Sequence, residues 1–197
     1  MSKAPKCNLI VIDNFYDDPL KVREFALSQK YITEDYYPGK RSEISFSNEN
    51  IKTKIEEIIM PFAGKITKFV CNDNSVSNGK FQYTTSHDRS WIHSDIYTDW
   101  AGIIYLTPNA PLSSGTGFYK LIDGDIDENT DEINYNKLCG IHRNDMTKWK
   151  LVDNIGNVFN RLIIFNSKKF HSSMNYFGTN INDGRLFHVF FFNTEYK

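Results

Sequence analysis

The chain has 197 residues, a formal net charge of −1, 40% hydrophobic residues and 15% aromatic residues. That length suits one domain with its own core, and the near-zero charge excludes a general attraction to nucleic acid. Three cysteines fall in no zinc or disulfide spacing, no 18-residue apolar run exists, and the first residues lack the apolar stretch of a signal peptide, so a reduced, cytoplasmic protein with no membrane partner is expected.

Taken in order, "NLIVIDNF" (Asn8 to Phe15) reads as a short strand. "DDPLKVREFALSQ" carries a helix start: Asp17 or Asp18 as N-cap and Pro19 near the first helical position. "YYPGKRSE" (Tyr36 to Glu43) reads as a loop broken at Pro38-Gly39. Ile51, Ile55, Ile58, Ile59 and Phe62 repeat at helical spacing, and Pro61 is expected to end or bend that helix. After Gly64 the pattern turns to strands: "KITKFVCND", "GKFQYTTS", "SWIHSD", "WAGIIYLT", "GTGFYKLI", "TKWKLVD", "NRLIIFN" and "GRLFHVFFFN", punctuated by Pro, Asn, Ser and Gly. Two helices followed by roughly eight strands predict an α+β sandwich or barrel. The interruption from Asp123 to Met146 is polar and aperiodic, so it is expected at the open end of the barrel and mobile. Its first part, Asp123 to Glu132, holds six carboxylates and no base, a solvated face that disfavours DNA or RNA.

Chemistry concentrates at "SWIHSDIYTDWAGIIY". On a strand, His93 and Asp95 leave one face side by side. The pair suits a surface contact, a buried hydrogen bond or two thirds of a metal site. An iron(II) oxygenase site needs two imidazoles and one carboxylate. Among His87, His142, His171 and His188, the best third ligand is His171, which follows an apolar strand and precedes the last one. His188 should face away from Arg185, His87 sits before a turn and His142 lies in the polar insertion. His171 comes 76 residues after Asp95, and Arg185 another 14 on, in an otherwise apolar strand. A guanidinium buried there is costly without an anion, and no acid accompanies it in that strand. A small dicarboxylate would fit its planar fork.

His-x-Asp, a distal His and a later Arg, in short strands after N-terminal helices, resemble the iron(II)/2-oxoglutarate-dependent dioxygenases. The likeness is nearest to the prolyl-4-hydroxylase-like branch and its small phage and bacterial relatives. It covers roughly Phe81 to Asn193, and "SGTGFY" is similar to that branch's Gly-Gly-x-x-Phe turn. The resemblance implies one domain over residues 1–197: helical support over 16–63 and a double-stranded β-helix (jelly-roll, cupin-like) core over about 75–193. It implies His93, Asp95 and His171 as iron(II) ligands, Arg185 on the far carboxylate of 2-oxoglutarate, and Tyr83, ten residues before His93, beside that co-substrate. It implies hydroxylation of a peptide side chain or small molecule by dioxygen, releasing succinate and CO2. The branch's hydroxyl two residues after the Arg is replaced by Phe187; Tyr105, or more weakly Thr107, would supply one instead. Tyr36, Tyr37, Lys40 and Arg41 either grip a peptide or an anion or pack on the barrel, and Trp91 and Trp100 read as core more than platform. Two other readings stay open: a non-enzymatic jelly-roll binding module, and a cupin-type metalloenzyme that has no need of Arg185.

Overall fold

A computed structural model describes residues 6–129 and 140–195. Eleven strands and two N-terminal helices are assigned among them: β1 (Leu9–Ile12), α1 (Pro19–Leu27), β2 (Tyr31–Ile32), β3 (Lys40–Ser45), α2 (Glu49–Ala63), β4 (Lys65–Lys68), β5 (Lys80–Thr84), β6 (Trp100–Tyr105), β7 (Thr116–Leu121), β8 (Trp149–Ile155), β9 (Leu162–Asn166), β10 (Phe170–Ser173) and β11 (Arg185–Glu195). The large sheet runs β1-β9-β6-β11-β5-β3-β2, with β4 on the far part of β11, and the small sheet runs β10-β7-β8. Every pairing is antiparallel. The α+β expectation holds.

Strand alternation decides what each face of the large sheet meets. Ile104, Leu162, Ile164, Leu186, Phe190 and Phe192 turn one way and bury against Ile51, Ile55, Ile59 and Ala63 of α2 and Ala26 of α1. Ala101, Tyr105, Ile163, Phe165, Phe187 and Val189 turn the other way and meet Phe118 of the small sheet. The helices therefore back the large sheet, and the space between the sheets is left for a site.

Asp18 caps α1 through its side chain, which accepts from Lys21 N–H, with Pro19 at the start; Asn48 caps α2 in the same way through Ile51 N–H. Pro61 neither ends nor breaks α2, which continues to Ala63 and stops at Gly64 with φ 78°. One backbone donor is lost there, but Ile59 and Ala63 on either side are buried, and that packing holds the last turn. Two further expectations are corrected: residues 40–43 belong to β3 rather than a loop, and "SWIHSD" forms only an isolated bridge rather than a strand. His171 follows the apolar β9, as expected, and sits on a further four-residue strand, β10. Of the interruption, residues 130–139 lie outside the described part. Its described start is tied down by Lys6–Glu128 and Lys169–Asp127 ion pairs and by bridges from Ile126 to Leu121 and from Glu128 to Lys169.

His188 faces the helix side, between Phe81 at 4.2 Å and Phe190 at 4.4 Å. Its Nε2–H donates to Gly79 O (2.9 Å) and its Nδ1 accepts from the Tyr16 hydroxyl (2.8 Å), so the neutral ring fills both positions. Burial pushes its pKa down to about 3. The unfolded chain, with a His pKa of about 6.5, therefore binds more protons than the native one between those values, and stability falls as pH falls through that window. Between pH 7.5 and 5.0 the loss should be about 2 kcal/mol from this residue alone. Urea unfolding of the wild type against His188→Gln at the two pH values checks it: the variant should be less acid-sensitive by that amount, and equal sensitivity would remove His188 as the cause.

Candidate metal centre

The two histidines are brought together by backbone pairing across elements. His93 N–H donates to His171 O (3.0 Å) and His171 N–H to His93 O (2.8 Å), a single antiparallel bridge that fastens the segment ahead of β6 to the edge of β10. Directly paired residues share a face, so the rings lie together, with centroids 4.3 Å apart. Asp95 N–H donates to Ser167 O (2.8 Å), and the Ser167 hydroxyl donates to Thr98 O, closing the turn that carries the carboxylate. One ligand atom each from His93, Asp95 and His171 lies within 4.8 Å of the others, and the Asp95 carboxylate is 3.4 Å from His171 Nε2.

The tautomers follow from the partners. His93 Nδ1 faces Trp91 O at 3.0 Å and His171 Nδ1 faces Lys169 O at 2.9 Å. A carbonyl only accepts, so each Nδ1 carries the proton and each Nε2 presents a lone pair. Burial first, and then the neighbouring His171, push His93 down to about 4, which keeps it neutral. For Asp95, burial opposes ionisation, but the hydrogen bond and charge that His171 offers when its Nε2 is protonated, together with His93 and Arg41, outweigh it and hold the carboxyl below its usual range; a divalent cation at the two Nε2 atoms would replace that proton. Two neutral imidazoles and one carboxylate are the donor set of a first-row divalent ion.

A cavity of about 660 Å³ opens over these groups, floored by Phe165, Phe187 and Val189. Arg185 reaches it from β11 and is 1% exposed. Its Nε donates to Ser114 O (2.8 Å), and its Nη2 to Gly115 O and Thr116 Oγ1 (both 3.4 Å), while its plane lies 4.3 Å from the Phe187 ring. Gly115 allows this seat, because a Cβ there would fall 1.8 Å from Ile155 O. Among the described residues no carboxylate pairs with Arg185. Asp183 instead accepts from the backbone N–H groups of Thr179 and Asn180, and Glu132 lies outside the described residues. Two buried hydroxyls lack partners nearby: Ser94 Oγ, in the cavity wall between the two ligands, and Thr84 Oγ1, on the residue paired with Arg185 across β5. A buried guanidinium that no described carboxylate pairs, in one cavity with the unpartnered Ser94 hydroxyl, fits a site shaped for a small acid next to a metal.

Not every expected residue belongs to this cavity. Tyr83 is paired with Leu186 and shares its face, so it turns to the helix side and packs on Tyr31 at 5.1 Å; this corrects its place beside a co-substrate. Tyr105 faces the site side but is fully buried behind Thr116, to whose Oγ1 its hydroxyl is bonded at 2.8 Å. Thr107 bonds Gly184 O and Leu186 N–H and offers nothing to the cavity. Two hydroxyls therefore stand beside Arg185: that of Tyr105, whose ring lies 5.3 Å from the guanidinium carbon and whose phenol interacts with it, and that of Thr116 on the opposite sheet, which sequence reasoning missed. Trp91 lines the cavity and Trp100 is core. Arg41 lines it too, from β3.

A family model described as "Family of unknown function (DUF6445)" matches residues 2–192. No curated protein matches. Among solved structures, HygX from Streptomyces hygroscopicus with nickel, 2-oxoglutarate and hygromycin B bound is similar at a TM-score of 0.57 and 8% identity, over 92% of this chain and 81% of that one. A prolyl hydroxylase from Trichoplax adhaerens, in complex with a hypoxia inducible factor oxygen degradation domain peptide fragment, is similar at 0.53 and 12% identity, over 94% and 83%. These likenesses establish the fold as the double-stranded β-helix that those enzymes share.

Proposed function

We propose that this chain, which belongs to the family of unknown function DUF6445, is an iron(II)- and 2-oxoglutarate-dependent dioxygenase whose helices and sheets work as one domain. The observation that carries the reading is the pairing, in one cavity, of a two-imidazole, one-carboxylate cluster with a buried arginine that no described carboxylate neutralises. The fold shared with two enzymes, one of them holding nickel and 2-oxoglutarate, supports it.

In this reading His93 Nε2, His171 Nε2 and the Asp95 carboxylate hold iron(II). Their Nδ1–H bonds to Trp91 O and Lys169 O stop the rings from turning and strengthen them as donors. Arg185 takes the far carboxylate of 2-oxoglutarate, with Thr116 Oγ1 beside it and Tyr105 fixing that hydroxyl from behind. Phe165, Phe187 and Val189 keep the floor dry, so those charge contacts act in a low dielectric. Iron with 2-oxoglutarate supplies the oxidising chemistry: dioxygen is consumed, succinate and CO2 are released, and a substrate carbon is oxidised, hydroxylation being the usual outcome. The protein's own work is to bind, orient and exclude water. A cupin-type metalloenzyme would use the same three ligands, but Arg185 would then have no anion.

Anaerobic titration of the purified chain tests this. Iron(II) should bind at one site, and 2-oxoglutarate added after it should produce the weak visible charge-transfer band of its metal chelate. Iron binding without that band would favour the cupin-type reading, and absence of iron binding would favour a binding module.

A further inference from the structure

Arg41 is a second guanidinium in the cavity, and its surroundings differ from those of Arg185. Gly39, with φ 73°, leads into β3 hard against β5: a Cβ there would fall 2.1 Å from Tyr83 O. The register then sets Arg41 opposite Gln82, Gln82 opposite Phe187, and Phe187 opposite Tyr105, so these four form one row on the cavity face of the large sheet. With strands about 4.8 Å apart, Arg41 stands two strands, about 10 Å, from the strand of Arg185.

Among the described residues, every hydrogen bond of the guanidinium goes to a neutral group. Nε and Nη2 donate to Gln82 Oε1 (3.0 and 2.7 Å), Nη1 donates to Ser77 Oγ (2.8 Å), and the plane lies 4.1 Å from the Tyr37 ring. Gln82 is fixed as the acceptor because its amide nitrogen donates to Pro38 O (2.7 Å). Of the five N–H groups, these bonds leave one on each terminal nitrogen, two donors open to an anion. No described carboxylate is within ion-pair distance; Asp95 and Glu34 favour the charge only from farther off, and burial works against it. The wider balance agrees. The cavity is lined by three cations, Arg41, Lys68 and Arg185, against the single carboxylate of Asp95. A divalent metal and a dianionic co-substrate cancel each other, so that excess of cations remains for whatever else enters.

We infer that the primary substrate carries a carboxylate and that Arg41 is its anchor; this rests on the reading in which Arg185 serves 2-oxoglutarate. Tyr36 and Tyr37 beside Arg41, and Trp91 near the metal ligands, give the cavity an aromatic wall for the body of such an acid.

Matched probes test it on the full chain loaded with nickel(II) and 2-oxoglutarate. N-acetyltyrosine against its amide represents a free terminal carboxylate. N-acetylaspartic α-amide against the asparagine analogue represents a carboxylate on a peptide side chain. Ligand-observed NMR should show at least one acid binding tenfold or more tighter than its neutral partner, and the pair that responds identifies the source. Arg41→Gln should reduce that preference to about twofold or less, while nickel affinity, which the Arg41 charge opposes, should not fall and the melting temperature should hold. If Arg41→Gln melts early, Arg41→Lys decides, and the preference should then fall several-fold. A wild type that binds nickel and 2-oxoglutarate but prefers neither acid overturns the inference, as does a preference that survives both substitutions. Failure of nickel or 2-oxoglutarate to bind sinks the dioxygenase reading instead, and the same probes on metal-free protein still decide Arg41.

Discussion

Asp95→Ala is expected to lower nickel(II) or iron(II) affinity at least a hundredfold, with little change in the fold. The carboxylate is the one anionic group among the described residues that line a cavity otherwise presenting cations. Without it a divalent ion meets two neutral imidazoles and three positive side chains. Loss of a directly bound anion should exceed the 10- to 100-fold typical of removing a group that only orients a ligand. The fold should tolerate the change, because Asp95 is joined to its surroundings chiefly by its backbone N–H to Ser167 O, which alanine keeps, and its carboxylate's nearest ion-pair partner is His171 itself. Calorimetric titration with nickel(II), beside a melting curve of the metal-free protein, separates the two effects. Affinity within threefold of wild type would mean that the three residues converge for some other reason, such as a buried hydrogen-bonded pair.

The candidate metal ligands were legible because their chemistry is rare in an apolar context: a His-x-Asp ahead of "WAGIIY" and a histidine after "NRLIIF" stand out by residue type alone. The reason given for their meeting was only partly right. Residues 93–95 are not a regular strand, and the rings meet because His93 and His171 are bridged across elements, a long-range pairing that no local period announces. Tyr83 failed on parity. A spacing of ten residues from His93 says nothing about which way a side chain points, whereas "FQYT" already held the answer. Phe81 belongs to the core against the helices, so Tyr83 shares its face and Gln82 takes the other. Arg41 was named among four loop residues that either grip an anion or pack on the barrel, but its place in the sheet was hidden, because Pro38-Gly39 and a polar "KRSE" read as loop. The strand there lies near the sheet edge, where its buried side chains are serines, Ser42 and Ser45, rather than apolar residues. Thr116 was invisible for another reason: it reaches Arg185 from the opposite sheet, and only the packing of the two sheets creates that contact.

Arg185→Lys should weaken 2-oxoglutarate binding about 10- to 100-fold while nickel affinity stays within threefold. The guanidinium is already seated by bonds to Ser114 O, Gly115 O and Thr116 Oγ1 and by its stack on Phe187, so its remaining donors are aimed before any ligand arrives. Lysine keeps the charge but loses the plane, the fork and the stack, and its ammonium must choose between those carbonyls and an incoming carboxylate. Arg185→Met removes the charge as well and should cost more, but it also orphans buried carbonyls, so a lower affinity alone would not identify the cause. Pyruvate separates the two. It keeps the keto acid end that chelates a metal and lacks the distal carboxylate. In the wild type, 2-oxoglutarate should outbind pyruvate by a large factor, measured by calorimetry on the nickel-loaded protein. In Arg185→Met that factor should collapse toward one, whereas general loosening of the site would weaken both acids together and leave their ratio unchanged. A ratio preserved in the variant would mean that the distal carboxylate is held elsewhere. Arg41, the other guanidinium of the cavity, would then be its holder, and the carboxylate anchoring assigned to Arg41 would belong to the co-substrate and not to the primary substrate.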